Sequence, residues 1–447
     1  MGTGSQLAGW RRLIIVPIIV FEFVLALGAA IEPRLAFTLI LAGAVAIVAL
    51  IKPVPVLVLA FPACFMYWRV GPAVVDMSIT DAVTVLGTFA ALPHVPWKNP
   101  RLRFVLLLFG FYTAAVAVSV LASPSSTAVS ELAHRVLMVA GPLMIGSALA
   151  NLGKVRLALR AFLFTAAFVS FAAMFDSLAS GLSPAYPFGM HKNAVGSHLA
   201  SGLLILLAAS SRLELSRRVR IGLTTVLFLG LLASQSRGAA MALVAAAAFY
   251  LLRSRNKRLA RLAPVALGLA LVLLTFAILS LSSSLEDQAA SKFNSVNTRL
   301  DGYTYAIDTA WKPHIPFGSG PKWFRIQGFD SGPHNMIVSE LSETGVMGTL
   351  VLVVFLGGAL VTLWRMRTEL ADAAVLVLIE RVLDAMLGIL WVAGTGTLPW
   401  LVVGLAVGES PPDDDLEDPG RLEHRGDATA QDGPEPGRSS TVAPTWS

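Results

Sequence analysis

The chain has 447 residues, 55% of them hydrophobic and only 14% charged, with a formal net charge of +6. Soluble domains carry nearer a quarter charged residues, so this composition excludes an ordinary soluble enzyme and makes lipid the solvent to reason from. The single cysteine, Cys64, excludes an intramolecular disulfide and a cysteine-built zinc site.

The apolar residues fall in runs, and the runs predict spans at about 13–31, 35–51, 54–68, 74–92, 104–122, 132–150, 161–180, 194–210, 221–236, 238–252, 262–281 and 336–364. Runs near twenty residues match a hydrocarbon core of ~30 Å. Within lipid the backbone must satisfy its own hydrogen bonds, and the alternation of membrane strands is absent, so the runs are read as helices. Arg11 and Arg12 ahead of an apolar stretch resemble a secretory leader, but further spans follow at once, so the stretch is taken as a retained first helix. A last apolar stretch, 373–407, is interrupted by Glu380, Arg381 and Asp384 and crosses either once or as a short pair.

The expected fold is all-α: a polytopic transmembrane bundle of about 12–14 helices with one large extracytoplasmic loop between the later ones. Its parts are an N-terminal bundle (1–281), the loop with short helices (282–335), C-terminal helices (336–408) and a tail (409–447). The tail has almost no aliphatic residues and is expected to be disordered.

Orientation follows from the basic residues. With the N-terminus in the cytoplasm, the inner loops hold Arg11, Arg12, Lys52, Lys98, Arg101, Arg103, Lys154, Arg156, Arg160, Arg212, Arg217, Arg218, Arg220, Arg253, Arg255, Lys257, Arg258, Arg261, Arg365 and Arg367. The short outer loops hold one each: Arg34, Arg69, Arg135, Lys192 and Arg237. The positive charge thus marks topology and does not call for nucleic acid. Segments 182–193, 234–238 and 282–335 then face outward, where chemistry needs a donor already carried across the membrane.

Several outer residues could carry chemistry. Ser234-Gln235-Ser236-Arg237-Gly238 separates two apolar runs. Arg237 there either snorkels to the interface or grips a pair of phosphate oxygens. His191-Lys192-Asn193 is either a plain N-cap turn or a basic contact for substrate. The large loop offers Arg299, Lys312, His314, Lys322 and Arg325 among aromatics that include Trp311, Trp323 and Phe324. That mixture is either a solvated loop with a small core or a site for a sugar diphosphate, with cations for the phosphates and rings for the sugar faces. Residues 297–311 read as an amphipathic helix opening near Arg299, and 316–321 as a turn cluster. Glu22, Asp76, Asp81, Asp176 and Glu340 are acidic residues within or beside spans, without a motif. His334 ends the loop where it enters the 336–364 span; alone it would be a capping histidine, and Gly345 with Gly348 would be a helix-packing patch.

Taken together, His334-Asn335, nine residues, Gly345, two residues, Gly348-Thr349 resembles the signature of the O-antigen ligase and polymerase superfamily of bacterial polytopic membrane proteins. Ser236-Arg237-Gly238 followed by small and aliphatic residues resembles its second landmark, with Met241 where leucine is common. Arg299 with Trp311, Pro316 and Gly318 resembles the start of the family's large outer loop. The resemblance covers roughly 190–365. It implies a metal-independent, cofactor-free glycosyltransferase of the bacterial inner membrane, working on the extracytoplasmic face. The implied partners are a polyprenyl-diphosphate-linked glycan, a lipid or glycan acceptor and membrane lipids. Arg237 and Arg299 would hold the diphosphate and His334 would assist the acceptor hydroxyl, with His191, Lys192, Trp311, Lys322 and Asn335 as substrate contacts. A ligase and a repeat-unit polymerase share these landmarks. A transporter or flippase of lipid-linked oligosaccharides, or a non-catalytic scaffold, are the readings from other classes; the first would need charges or broken helices at the midplane.

Overall fold

A computed structural model describes residues 51–70, 77–253, 300–327, 333–388 and 390–409. The expected spans at 13–31, 35–51 and 262–281, Glu22, Asp76, Arg299 and the tail from 410 lie outside the described residues.

Among the described residues the regular structure is helical apart from one two-residue antiparallel pairing, Arg69–Val70 with Met77–Ser78. In order it forms α1 (Pro53–Ala63), α2 (Ile79–Ala91), α3 (Pro100–Ala122), α4 (Ser126–Asn151), α5 (Val155–Ala179), α6 (Lys192–Ala208), α7 (Arg217–Ser234), α8 (Arg237–Arg253), α9 (Met336–Met366), α10 (Glu369–Ala385) and α11 (Thr397–Gly408). Four of these, α3, α4, α5 and α9, are long and apolar enough to cross a membrane. The chain is an all-α, multi-pass membrane protein. Its outward surfaces are what lipid requires: Phe164, Phe168, Phe171 and Phe175 on α5 are each about half exposed or more.

Local chemistry sets the helix starts. Asn99 accepts the amides of Arg101 and Leu102 ahead of Pro100, and Ser78 forms a reciprocal capping box with Asp81. Ser125 accepts the Ala128 amide and starts α4 at Ser126. Here the expectation is corrected. Arg135, read as an outer-loop charge, lies more than two turns inside α4 and is buried. The polar first turns, with Thr127, Ser130 and Glu131, mask a helix that capping and tertiary ion pairs sustain.

The interrupted stretch 373–407 is a pair of short helices, α10 and α11. All twelve residues of α11 are buried. It packs along α4, where Gly404 lies so close that a Cβ would sit 2.5 Å from the Leu143 carbonyl oxygen. Around this pair, α10 also packs on α6, α8 and α9, and α3 packs on α9. In the loop, residues 300–305 are helical and widen into a π-helical stretch, Ala306–Trp311, lying on α9.

Candidate functional site

The His334 motif is a small architecture. Asn335 is the N-cap of α9, its Oδ1 accepting the amides of Ile337 and Val338 at 3.0 and 3.1 Å. Its Nδ2 donates to the Met386 carbonyl at 3.1 Å, tying the start of α9 to the end of α10. The Tyr303 hydroxyl donates to the His334 carbonyl at 2.9 Å, so the loop helix lies against the same turn. Nine residues on, Gly345 breaks α9 with φ +67° and ψ −168°, backbone that suits glycine alone. The loop docks into that break. Ser319 and Gly320 donate to the carbonyls of Ser342 and Glu343, and the amides of Val346 and Met347 donate to Ile315 and Pro316. The Thr349 hydroxyl, four residues past the break, donates to the Gly345 carbonyl at 2.8 Å. Gly345 is thus a loop-docking notch, where the sequence reads as a packing patch.

The Arg237 turn is built from the other side. Gln235 closes α7 in left-handed backbone, φ +51°, and its Nε2 donates to the Leu182 carbonyl at 2.7 Å. The Ala185 amide donates to the Ala233 carbonyl, so segment 182–193 is laced to this turn. The Ser236 hydroxyl bonds Asn193 Oδ1 at 3.4 Å. Arg237 is the first residue of α8 and is exposed. Gly238 sits against α10: a Cβ there would come 3.0 Å from Asp384 Oδ1 and 3.8 Å from Leu387 Cβ.

These contacts meet at one place. Gly238 touches Asp384 and Leu387, Asn335 bonds Met386, and Ser236 bonds Asn193. The N-termini of α6, α8 and α9 therefore gather at the C-terminal end of α10, carrying His191 and Lys192, Arg237, and His334 and Asn335. Helix N-termini carry partial positive charge, so three of them, two with cationic side chains, form a place for an anion. His191 caps α6, its Nδ1 accepting the Asn193 amide at 3.3 Å, and stands edge-on to Tyr186. Partial burial, then the adjacent Lys192 charge, lowers its pKa, which favours a neutral ring. Beneath the site, Arg381 pairs Asp384 at 2.8 Å and donates to the Leu390 carbonyl, and Glu380 accepts from Ser197 and Ser201 of α6.

The remaining candidates lie elsewhere. Lys322 pairs with Glu131 of α4 at 2.8 Å. Trp311 ends the π-helical stretch, its indole nitrogen buried and without a hydrogen bond to any described residue. Lys312 pairs with Asp308, one helical turn back.

Lys322 belongs to a second polar cluster that the sequence does not announce. Arg135, at 2% exposure, is held by Glu131 at 3.4 Å, Glu340 at 3.0 Å, Glu343 in a short contact and the Tyr112 hydroxyl at 2.7 Å. Its guanidinium lies over the Trp391 ring, 5.0 Å from the centroid, while the Trp391 indole donates to Glu340. His134 bridges Glu131 and Asp81. Glu340 and Glu343 sit on α9 between Asn335 and Gly345, so the cluster holds both ends of the motif against α3 and α4. The available signal was the spacing of Glu131 and Arg135, four apart on one helix face, with carboxylates at 340 and 343 one turn apart.

Among the described residues, no three His, Cys, Asp or Glu side chains are grouped as a metal site would need. No curated protein matches the chain. Residues 222–353, which hold the Arg237 turn and the His334 motif through its glycines and Thr349, match the family model described as O-antigen ligase.

Proposed function

We propose that the protein is a membrane-embedded glycosyltransferase. It moves a glycan from a polyprenyl-diphosphate donor to an acceptor hydroxyl on the extracytoplasmic face of the bacterial inner membrane, without a metal ion. The observation that carries this reading is the convergence of three helix N-termini at the end of α10, with Lys192 and Arg237 at two of them and His334 at the third. The arrangement suits a diphosphate bound through amides and cations, with an imidazole beside it.

In this reading the acceptor oxygen forms a bond to the anomeric carbon as the bond from that carbon to the diphosphate breaks. The hydroxyl proton passes to the His334 imidazole, and Arg237 and Arg299 hold the charge that develops on the leaving diphosphate. His191 and Lys192 line the same mouth, and Asn335 sets the position of His334.

The test is glycan transfer by the purified protein in liposomes, with a lipid-diphosphate glycan donor and EDTA present. Transfer by wild type and its loss in His334→Ala and Arg237→Ala are expected. The length of the product separates single ligation from polymerisation. Undiminished transfer by His334→Ala would remove the proton-acceptor role.

A further inference from the structure

A cleft of about 730 Å³ opens between the start of α3 and the end of α9. Its volume lies within the range of small-molecule sites, about 300–1,000 Å³. Phe104, Val354 and Val361 form apolar walls, and all three are exposed. Gly357 faces it, with no atom within 4 Å of where a Cβ would stand. Its neighbour Gly358 is packed tightly under Leu108, so the cleft is held by close helix contact on one side and open on the other. Arg101 and Arg365 both line it. Neither guanidinium makes an ion pair or a side-chain hydrogen bond with a described residue, although Arg103, Arg156, Arg212 and Arg253 all find partners.

From Gly345 to Arg365 the helix rises about 30 Å at 1.5 Å per residue, the thickness of a hydrocarbon core. The arginine end of the cleft therefore lies about one membrane thickness from the Gly345 break, at the end of α9 where basic residues cluster. An apolar slot open to lipid, with two arginines at the headgroup level, has the complement of an anionic phospholipid: acyl chain against Phe104, Gly357 and Val361, phosphate between the arginines. Scattered snorkelling arginines need no slot between helices, and a soluble anion needs no apolar walls.

We infer that this cleft is a binding site for an anionic phospholipid of the leaflet opposite the His334 motif. The full-length protein in mild detergent is examined by native mass spectrometry with phosphatidylglycerol or phosphatidylcholine added. Two variants are compared with wild type: the Arg101→Gln/Arg365→Gln pair, and Gly357→Leu. The second keeps both arginines and fills the slot. A Cβ at 357 meets no neighbour, leucine extends from there into the open slot, and it favours helix over glycine, so folding is preserved.

Wild type is expected to retain phosphatidylglycerol over phosphatidylcholine, with retention falling about fivefold for each arginine removed. Gly357→Leu is expected to lower it with the charges intact. Equal retention of the two lipids, or undiminished retention by either variant, would overturn the site. Displacement of the lipid by its deacylated headgroup at equal concentration would reassign it to a soluble anion.

Discussion

Gly345→Ala tests the loop-docking notch, with Gly357→Ala on the same helix as its control. At 345 the backbone lies in a region open essentially to glycine, at a cost of about 1–3 kcal/mol for any other residue. The new Cβ would stand 2.5 Å from the Pro316 carbonyl oxygen and 2.6 Å from the Gly318 amide nitrogen. Both are backbone atoms, so no rotamer change relieves the contact and the loop itself must move. Four backbone hydrogen bonds join 315–320 to 342–347. At about 0.5–1.5 kcal/mol each, they hold the loop by an amount comparable with the strain. Release of the loop is then the route of relief, and the bundle stays folded.

A loss of about 3 kcal/mol from the docked state is about a 100-fold rise in local opening. Amide exchange at Ser319, Gly320, Val346 and Met347 should accelerate by that factor, with α4 and α11 unchanged, and transfer should fall with it. At Gly357 a Cβ meets nothing, so alanine there should be neutral or stabilising by up to about 1 kcal/mol. Exchange in Gly345→Ala within about threefold of wild type would refute the reasoning, since local opening reports the docking free energy directly.

Asn335→Asp keeps the cap acceptor and loses the donor to Met386, whereas Asn335→Ala loses both. Transfer is expected to fall about tenfold in the first, for one lost hydrogen bond, and further in the second, where the cap is worth about 1 kcal/mol more; equal rates in all three forms would dismiss the tie between α9 and α10. Arg135→Met leaves Glu131, Glu340 and Glu343 together without their guanidinium. It should cost about 3–5 kcal/mol in thermal unfolding, with Arg135→Lys failing to restore the forked contacts; wild-type melting of the methionine variant would contradict the cluster. For His191, burial and then Lys192 lower the folded pKa. Its contribution to stability is therefore complete above the ordinary histidine value and is lost as pH falls through the lowered one. Lys192→Gln should move its titration partway back up, read by ¹³C-histidine NMR; an unmoved titration would mean that the neighbouring charge has no effect.

Hydropathy alone makes the bundle legible, because each long span must hide its own backbone in lipid. α3 ends with its apolar run and begins within about a turn of it. Less legible were helices whose ends are polar. α4 begins six residues before its apolar run because Ser125 caps it and the carboxylate of Glu131 is answered from other helices. Composition cannot show partners that lie 205 and 208 residues away, as Glu340 and Glu343 do from Arg135. The motif residues were visible as a pattern, but not their division of labour. That Gly345 breaks α9 while Gly358 packs against α3 depends on the loop at 315–320 and on Leu108, both distant in sequence. The turn at 234–238 was visible as a turn, whereas its neighbours at 193 and 384 were not.

The two buried polar clusters have a common geometric consequence. A fully apolar interface of similar volume would hold helices together as well or better, since buried ion pairs lose much of their attraction to desolvation. Apolar faces can, however, slide by a turn with little penalty, while a guanidinium that must meet Glu131, Glu340, Glu343 and Tyr112 at once has one solution. That solution sets the segment from Asn335 to Gly345 against α4. Arg381 with Asp384 and the Leu390 carbonyl likewise fixes the end of α10, which Asn335 and Gly238 then meet. The charges inside the bundle thus set the register of the three helix starts around one point. An anion site assembled from separate helices needs that register, because a displacement of even one turn, about 5.4 Å, would exceed the reach of any single hydrogen bond.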